Sequence, residues 1–371
     1  MTTSPDTISA AEATIAAARP AAATADLALS PTTPASAGTI GGTARTATGT
    51  RLRPTRPDLE DEPNSAFQRF LVGLFVAVPL VALAAAIPLL WGWGLGWHDV
   101  VIALVFYWVS GLGVTVGYHR YFTHGSFKAK TGLRVGLAIA GSLAIEGPVI
   151  TWVSDHRRHH KYSDREGDPH SPWRYGDDWK ALSKGLLFAH IGWLFDPNMT
   201  SQEKFSPDLL ADRRIKTVDG WFPGLVAVSL LLPPLIGFLW GMSWQGALTA
   251  FFWATLVRVA LLHHVTWAIN SICHTFGSTE FEARDKSKNV SWMAIASFGE
   301  SWHNLHHADP TCARHGVLKG QIDVAARSIW MAEKLGWVYD VRWPDEARLT
   351  GKQRRSRKLG SMTRRAVGSP G

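Results

Sequence analysis

Cysteine is scarce in this chain of 371 residues, which contains only Cys273 and Cys312 and no CxxC spacing. A disulfide framework or a thiolate metal site needs more cysteines at closer spacing, so the sequence argues against both. Any metal bound by this chain is therefore expected to be held by nitrogen.

Aromatic side chains are missing from the first 66 residues, where Ala, Thr, Ser and Pro predominate. Such a segment cannot bury enough apolar surface to offset the entropy lost on ordering. We therefore interpret residues 1–66 as a disordered arm, separate from a main domain at 67–340. The arm also lacks the basic and then apolar layout of a secretory signal.

Acidic residues are missing from residues 351–371, which carry seven Lys and Arg residues. We interpret residues 341–371 as a basic cytoplasmic tail. Two readings of this tail stay open, a solvated extension and a segment attracted to an anionic membrane face. No nucleic-acid partner is expected, because nothing in the sequence resembles a recognition module.

Charged residues are rare in four long apolar stretches, at about 70–90, 100–118, 221–240 and 247–267. About 20 helical residues cover the hydrocarbon thickness of a bilayer, so each stretch is expected to cross it. Four crossings place both termini and the histidine-rich middle region on one side, which carries nearly all Lys and Arg and is expected to be cytoplasmic. A fifth stretch at 135–145 is too short to cross. The predicted fold is an all-α membrane protein of four transmembrane helices with a cytoplasmic helical cap.

Histidines concentrate in three short motifs, HRYFTH, HRRHH and HNLHH. A helix turns about 100° per residue, so the offsets of three and four in HxxHH place three rings on one face, as convergence on metal requires. The five-residue step in HRYFTH does not fit one helical face, so we expect the helix to end near His119. The motifs contain His119, His124, His156, His159, His160, His303, His306 and His307.

A ninth histidine ends the motif TWAINSICH, in which Asn270 and His274 lie one helical turn apart. Nine rings exceed the four positions of one tetrahedral zinc site, so two metal ions are expected. Affinity order alone does not choose among the first-row metals. The residues themselves predict a nitrogen-rich dinuclear site beside a membrane.

The motifs HRYFTH, DHRRHHKYSD, DPH, TWAINSICH and ESWHNLHH together resemble those of the integral-membrane acyl-CoA desaturases of the stearoyl-CoA (delta-9) family, in particular the bacterial, actinobacterial type. The resemblance covers about residues 67–340 and implies a di-iron centre (Fe²⁺/Fe³⁺) in a bacterial plasma membrane, with O₂ as co-substrate. It implies a cis double bond between carbons 9 and 10 of an acyl thioester of about 16 to 18 carbons, with acyl-CoA favoured. Electrons would come from a separate reductase or ferredoxin.

The resemblance also implies roles for individual residues. One iron would be held by His119, His124, His156, His160 and His307, and the other by His159, His274, His303 and His306. Asn270, the candidate catalytic residue, would reach the second iron through water. Trp152 and Trp267 would line the acyl path, which Tyr107 and Gly111 would close. Asp155, Asp164 and Glu300 are candidates to orient ring N–H groups, with ordinary surface acids as the alternative.

The sequence departs from the family pattern where a CoA head group would bind. Gly147 stands where animal members have Asn, and Asp196 and Pro197 stand where they have a basic pair. The acyl carrier therefore stays open between CoA, acyl carrier protein and lipid. A fatty acid or alkane hydroxylase on the same scaffold is the first alternative. A metal transporter is the second, although transporters usually place ionisable ligands at mid-membrane.

Overall fold

The structure is a computed structural model, and it describes residues 58–90 and 94–353. Most of the predicted arm, and the tail beyond residue 353, lie outside the described residues. The α-helices are α1 (Ala66–Leu90), α2 (Trp97–Leu112), α3 (Thr131–Ser142), α4 (Val149–Tyr162), α5 (Trp179–His190), α6 (Gln202–Phe205), α7 (Pro207–Ala211), α8 (Arg213–Gly220), α9 (Phe222–Gly241), α10 (Trp244–Ala250), α11 (Arg258–Ser271), α12 (His303–Ala308), α13 (Val324–Lys334) and α14 (Glu346–Lys352). Two π-helical segments, Gly113–Thr123 and Phe251–Val257, continue α2 and connect α10 to α11. Short 3₁₀ turns occupy Gly192–Phe195 and Ser291–Met293.

Among the described residues, four helical stretches are long and apolar enough to cross a membrane: Ala66–Pro88, Trp97–Thr123, Phe222–Gly241 and Trp244–Ser271. They coincide with the four predicted spans. The second and fourth contain 27 and 28 residues, about seven and eight more than the bilayer core needs. At 1.5 Å per residue they therefore continue about 10 to 12 Å past the lipid. This excess length carries His119 on one helix and leads directly to His274 after the other.

The helix that carries His119 does not end there, so that expectation from the sequence is wrong. The π-helical segment runs to Thr123, and the backbone N–H of His124 donates to the carbonyl of His119 at 3.2 Å. In a π-helix, hydrogen bonds join residues five apart, so the five-residue step of HRYFTH spans one turn. Both rings consequently lie on the same side of a continuous helix.

Close packing of α3 against the π-helical segment fixes the position of this helix. A Cβ atom on Gly113 would collide with the backbone of Ala140 and Gly141, so only glycine permits this approach. The side chains around the contact form a large buried core cluster, which includes Tyr118, Phe122, Leu137, Val149, Ile150, Val153, Ile215, Phe298 and Ile329. Residues on the π-helical segment are thereby held on a rigid base.

One feature departs from an all-α fold. Two short strands, β1 (Lys128–Ala129) and β2 (Val338–Tyr339), pair antiparallel, with Lys128 opposite Tyr339. They tie the chain after the π-helical segment to the chain after α13. The described residues are otherwise mostly helical.

Candidate metal centre

Four elements bring the nine histidines of the motifs into two groups. The first cluster contains His119, His124, His156, His160 and His306, and the second contains His159, His274, His303 and His307. Within each group, one potential ligand atom per residue lies within 4.8 Å of all the others. The rings come from the π-helical segment and the residue that follows it, from α4, from the turn that follows α11, and from α12 itself.

The two HxxHH motifs divide between the clusters in the same manner. In α4, His156 and His160 belong to the first cluster and His159 belongs to the second. In α12, His303 and His307 belong to the second cluster and His306 belongs to the first. Rings four residues apart lie about 40° apart around a helix. The ring three residues after the first lies about 60° from it in the opposite direction. The sequence-based assignment of His307 to the first set and His306 to the second was wrong.

The Nε2 atoms of the rings point toward one another in both clusters. Nε2–Nε2 distances are 3.0 Å for His119–His306, 2.9 Å for His160–His306, 3.2 Å for His156–His160, and 3.0 Å for both His274–His303 and His303–His307. The buried Nε2 atoms of His124 and His159 have no hydrogen-bond partner among the described residues. Two nitrogens bound at right angles to one ion, each about 2.1 Å from it, lie about 3.0 Å apart. The two donor sets therefore fit one metal ion each.

Carboxylates occupy the outer edge of three rings in the second cluster. The Nδ1 atoms of His159, His274 and His307 lie 2.9, 2.9 and 2.6 Å from carboxylate oxygens of Asp168, Asp164 and Asp285 respectively. A carboxylate accepts the Nδ1 proton, so each Nε2 keeps its lone pair and each ring keeps its orientation. This is the arrangement that metal-ligating histidines require.

In the first cluster, the corresponding acid is Glu300. Its Oε2 lies 2.6 Å from Nδ1 of His119 and 3.2 Å from Nδ1 of His315, and Arg120 donates to Oε1 at 3.0 Å. Burial alone would raise the pKa of Glu300, but the Arg120 guanidinium holds that pKa well below its usual range. Glu300 therefore carries a negative charge beside the ring edge of His119.

Most of the candidate ligands are neutral for a physical reason. Burial, with repulsion from neighbouring rings, lowers the pKa of six of them well below the usual histidine value: His124, His156, His160, His303, His306 and His307. Neutral imidazole is the form that binds a metal.

Of the three acids expected to orient rings, Asp164 and Glu300 lie against histidine rings. Asp155 instead accepts a hydrogen bond from Thr200 at 2.5 Å. Sequence reasoning missed Asp285 and His315 and gave Asp168 no role of its own. The DPH motif was a signal for Asp168, whereas Asp285 lies in a loop with no periodic pattern.

A cavity of about 690 Å³ leads from the membrane helices to both clusters. Residues of α1, α9 and α11 line it, and it ends at the rings of His119, His156 and His303. This volume is in the range of small-molecule sites. Trp152, Trp267 and Asn270 line the cavity, and the Trp152 ring stacks on His156 with centroids 5.0 Å apart.

Tyr107 and Gly111, the two residues predicted to close the acyl path, both lie against Phe298, which lines the cavity. Gly111 lines the cavity, and the Phe298 ring fills the space that a Cβ atom on Gly111 would need. Tyr107 also stacks on that ring with centroids 5.7 Å apart, and its hydroxyl donates to the carbonyl of Ala296 at 2.8 Å. Tyr107 thus supports the wall, while Phe298 and Gly111 form its surface.

Comparison with known proteins agrees with this geometry. The sequence model of the family "Fatty acid desaturase" matches residues 95–318. The chain is 36% identical over 282 residues to the hex-5-enoyl-(acyl-carrier protein) acetylenase of Moorena producens (strain JHB), covering 76% of this chain and 88% of that protein. It is 38% identical over 255 residues to delta-9 acyl-lipid desaturase 1 of Arabidopsis thaliana (68% and 77% covered) and 34% identical over 275 residues to the sn-1 stearoyl-lipid 9-desaturase of Anabaena variabilis (73% and 93% covered). The chain belongs to the fatty acid desaturase family.

Proposed function

We propose that this protein is an O₂-dependent desaturase that introduces a cis double bond between carbons 9 and 10 of an acyl chain of about 16 to 18 carbons. The observation that carries the proposal is the pairing of two clusters of inward-facing imidazoles with the end of an apolar cavity between membrane helices. Two relatives whose names specify position 9 support the choice of carbons.

The reaction removes two hydrogens from adjacent methylenes: R–CH₂–CH₂–R′ + O₂ + 2e⁻ + 2H⁺ gives R–CH=CH–R′ + 2H₂O. Two iron ions in the clusters would supply, with O₂, an oxidant strong enough for an unactivated C–H bond. The resemblance of the motifs implies that a separate reductase or ferredoxin would deliver the electrons one at a time. The basic surface of the cap would favour an acidic partner.

The residues of the chain contribute binding, orientation and the exclusion of water. Trp152 and Trp267 would press the acyl chain against the rings, and the apolar wall would keep water from the reacting carbons. Asn270 lines the cavity one turn before His274 and would orient a water beside the second cluster. Asp164, Asp168 and Asp285 hold protons at Nδ1 and so keep Nε2 free.

The proposal does not choose among CoA, acyl carrier protein and lipid as the acyl carrier. The resemblance of the motifs favours acyl-CoA, whereas the relatives are named for acyl lipids and for an acyl-carrier-protein substrate. The same proposal places the protein in a bacterial plasma membrane with the clusters and both termini in the cytoplasm. The concentration of Lys and Arg in the loops and tail on that side supports the orientation.

The test is product analysis with the purified full-length protein in lipid nanodiscs. Stearoyl-CoA, stearoyl-acyl carrier protein and a stearoyl phospholipid are each supplied with O₂, ferredoxin and its reductase. A desaturase yields a product two hydrogens lighter, with the double bond located by fragmentation, and the His306→Ala variant yields none. A product heavier by one oxygen atom would assign the hydroxylase alternative. Metal flux across vesicles without any acyl product would assign a transporter.

A further inference from the structure

The short segment at residues 291–299 contacts the second membrane span far from the end that carries the metal ligands. The carbonyl of Ala296 accepts a hydrogen bond from the Tyr107 hydroxyl at 2.8 Å. The Phe298 ring meets Trp108 edge-on with centroids 5.3 Å apart. Both partners precede His119 by at least 11 positions on the same continuous helix.

The depth of this contact follows from the length of the span. The stretch Trp97–Thr123 contains 27 residues, of which about 20 lie in hydrocarbon. Those 20 residues begin no earlier than residue 97 and end no later than residue 123. Any such window includes residues 104–116, because 97–116 and 104–123 are its extremes. Tyr107, Trp108 and Gly111 therefore lie at hydrocarbon depth wherever the span is placed.

The outer side of residues 291–299 is apolar and exposed. Trp292 is 75% exposed and Ile295 is 66% exposed. The neighbouring face of α2 exposes Leu104, Val105 and Trp108, which a membrane span turns toward lipid. The contact between Phe298 and Trp108 joins the segment to this part of α2.

Five of the nine backbone amides of the segment have partners within the segment or directly beside it, a pairing that lipid favours. The amides of Met293, Ala294, Ser297, Phe298 and Gly299 donate to carbonyls of Val290, Ser291, Met293, Ile295 and Ala294 respectively. The carbonyl of Phe298 accepts from the amide of Ala325 at 2.9 Å. A loop that projected into water would not need this internal pairing.

The chain enters and leaves this region at the same place. The amide of Val290 donates to the carbonyl of Ser301 at 2.9 Å, and Asn289 and Trp302 form an antiparallel bridge. His303, the first ring of α12, follows directly. The segment thus leaves the cap, reaches the middle of the second span and returns to the cap.

We infer that residues 291–299 form a re-entrant segment embedded in the bilayer, which separates the cavity from the acyl tails of surrounding lipids. Ala296, Ser297 and Phe298 line the cavity on the inner side, and Trp292 and Ile295 contact lipid tails on the outer side. The description of the cavity as an acyl site depends on the proposed function. The lipid contact of the segment does not.

Site-directed spin labelling of the full-length protein in phospholipid vesicles tests this contact. Cys273 and Cys312 are buried, so a nitroxide reagent should modify Ile295→Cys and Trp292→Cys selectively, with unsubstituted protein as the labelling blank. Leu104→Cys is the matched lipid-facing control and Lys319→Cys the matched exposed polar control. The ratio of collision rates with O₂ and with a water-soluble nickel chelate is expected to be several-fold higher at positions 295 and 292 than at position 319, and close to that at position 104.

Two results would overturn the inference. A ratio at position 295 and position 292 equal to that at position 319 would place the segment in water. Dipolar broadening that disappears when labelled protein is diluted with unlabelled protein would show that a second copy covers this face. A lipid-like ratio in a protein that yields no unsaturated product would instead retain the re-entrant segment and reject the proposed function.

Discussion

The indole N–H of Trp152 donates to Oε2 of Glu146 at 3.2 Å, and the same indole stacks on His156. Glu146 therefore lies one aromatic ring away from the first cluster, on the wall of an otherwise largely apolar cavity. Burial raises the pKa of Glu146 to about 7. The charge on the cavity wall therefore changes near neutral pH, where Glu146 ionises.

We predict that the KM for the acyl substrate increases as the pH rises through about 7. The folded pKa of Glu146 lies above the ordinary value of a glutamate, so its protonated form favours the folded, apolar cavity and ionisation opposes it. An apolar chain in the cavity desolvates the carboxyl further, so binding falls as the carboxylate forms. A pH series of KM, measured between pH 6 and pH 8.5 in about half-unit steps, reports this effect.

The Glu146→Gln variant is expected to keep a constant KM over the same pH series, because an amide does not ionise. Its free energy of unfolding should also fall less than that of the wild type as the pH rises from the ordinary glutamate pKa to 7. Glu166→Gln changes an exposed carboxyl and serves as the control. An equally steep pH dependence of KM in Glu146→Gln would show that another group is responsible.

The contact between Asp285 and His307 predicts a selective loss of one metal. The carboxylate lies 2.6 Å from Nδ1 of the ring, and removing such a partner lowers metal affinity about 10- to 100-fold. Asp285→Ala should therefore weaken the second cluster and leave the first unchanged. Titration of the metal-free protein with Co²⁺, followed by its d–d absorption, should resolve a weakened site from an unchanged one. Asp177→Ala, at an exposed aspartate, is the control, and equal affinities in both variants would contradict the assignment.

The division of the α12 rings predicts which substitutions act alike. His306→Ala should perturb the same iron as His119→Ala, and His307→Ala the same iron as His274→Ala. Mössbauer spectra of protein enriched in ⁵⁷Fe give one quadrupole doublet for each distinct iron environment. If His307→Ala alters the doublet that His119→Ala alters, the division seen in the structure is incorrect.

Local patterns in the sequence predicted the membrane-spanning helices, which depend on composition. They did not predict the π-helical continuation of α2 or the contacts between residues that are distant in the sequence. The four spans followed from uninterrupted apolar stretches, because hydrocarbon imposes its thickness on any helix that crosses it. The continuation of α2 past His119 was missed, since the five-residue hydrogen-bond pattern leaves no mark in a helical-wheel count. The exchange of His306 and His307 was missed because a single face of α12 does not reveal that the helix lies between two histidine clusters. Asp285 meets His307 through a loop, and no periodicity predicts that contact.

Chain-length selection should depend on Gly111. A side chain there must displace the Phe298 ring, because a Cβ atom alone would already collide with it. The Phe298 ring also packs against Tyr107 and Trp108 and lines the cavity, so we expect the displaced ring to enter the cavity. Gly111→Leu should therefore shorten the cavity and shift the products toward shorter acyl chains, measured as the ratio of unsaturated products from an equimolar mixture of 16- and 18-carbon substrates.

A loss of activity alone would not identify this effect, because Gly111→Leu could also strain the packing of α2. Gly224→Leu adds the same side chain to a membrane-span glycine whose Cβ would meet nothing within 4 Å, and it should leave the product ratio unchanged. Double substitution with Phe298→Ala removes the ring that Leu would displace and should restore the wild-type preference. If the product ratio of Gly111→Leu equals that of Gly224→Leu, then Gly111 serves only as a close contact between α2 and Phe298, and the end of the acyl path lies elsewhere in the cavity.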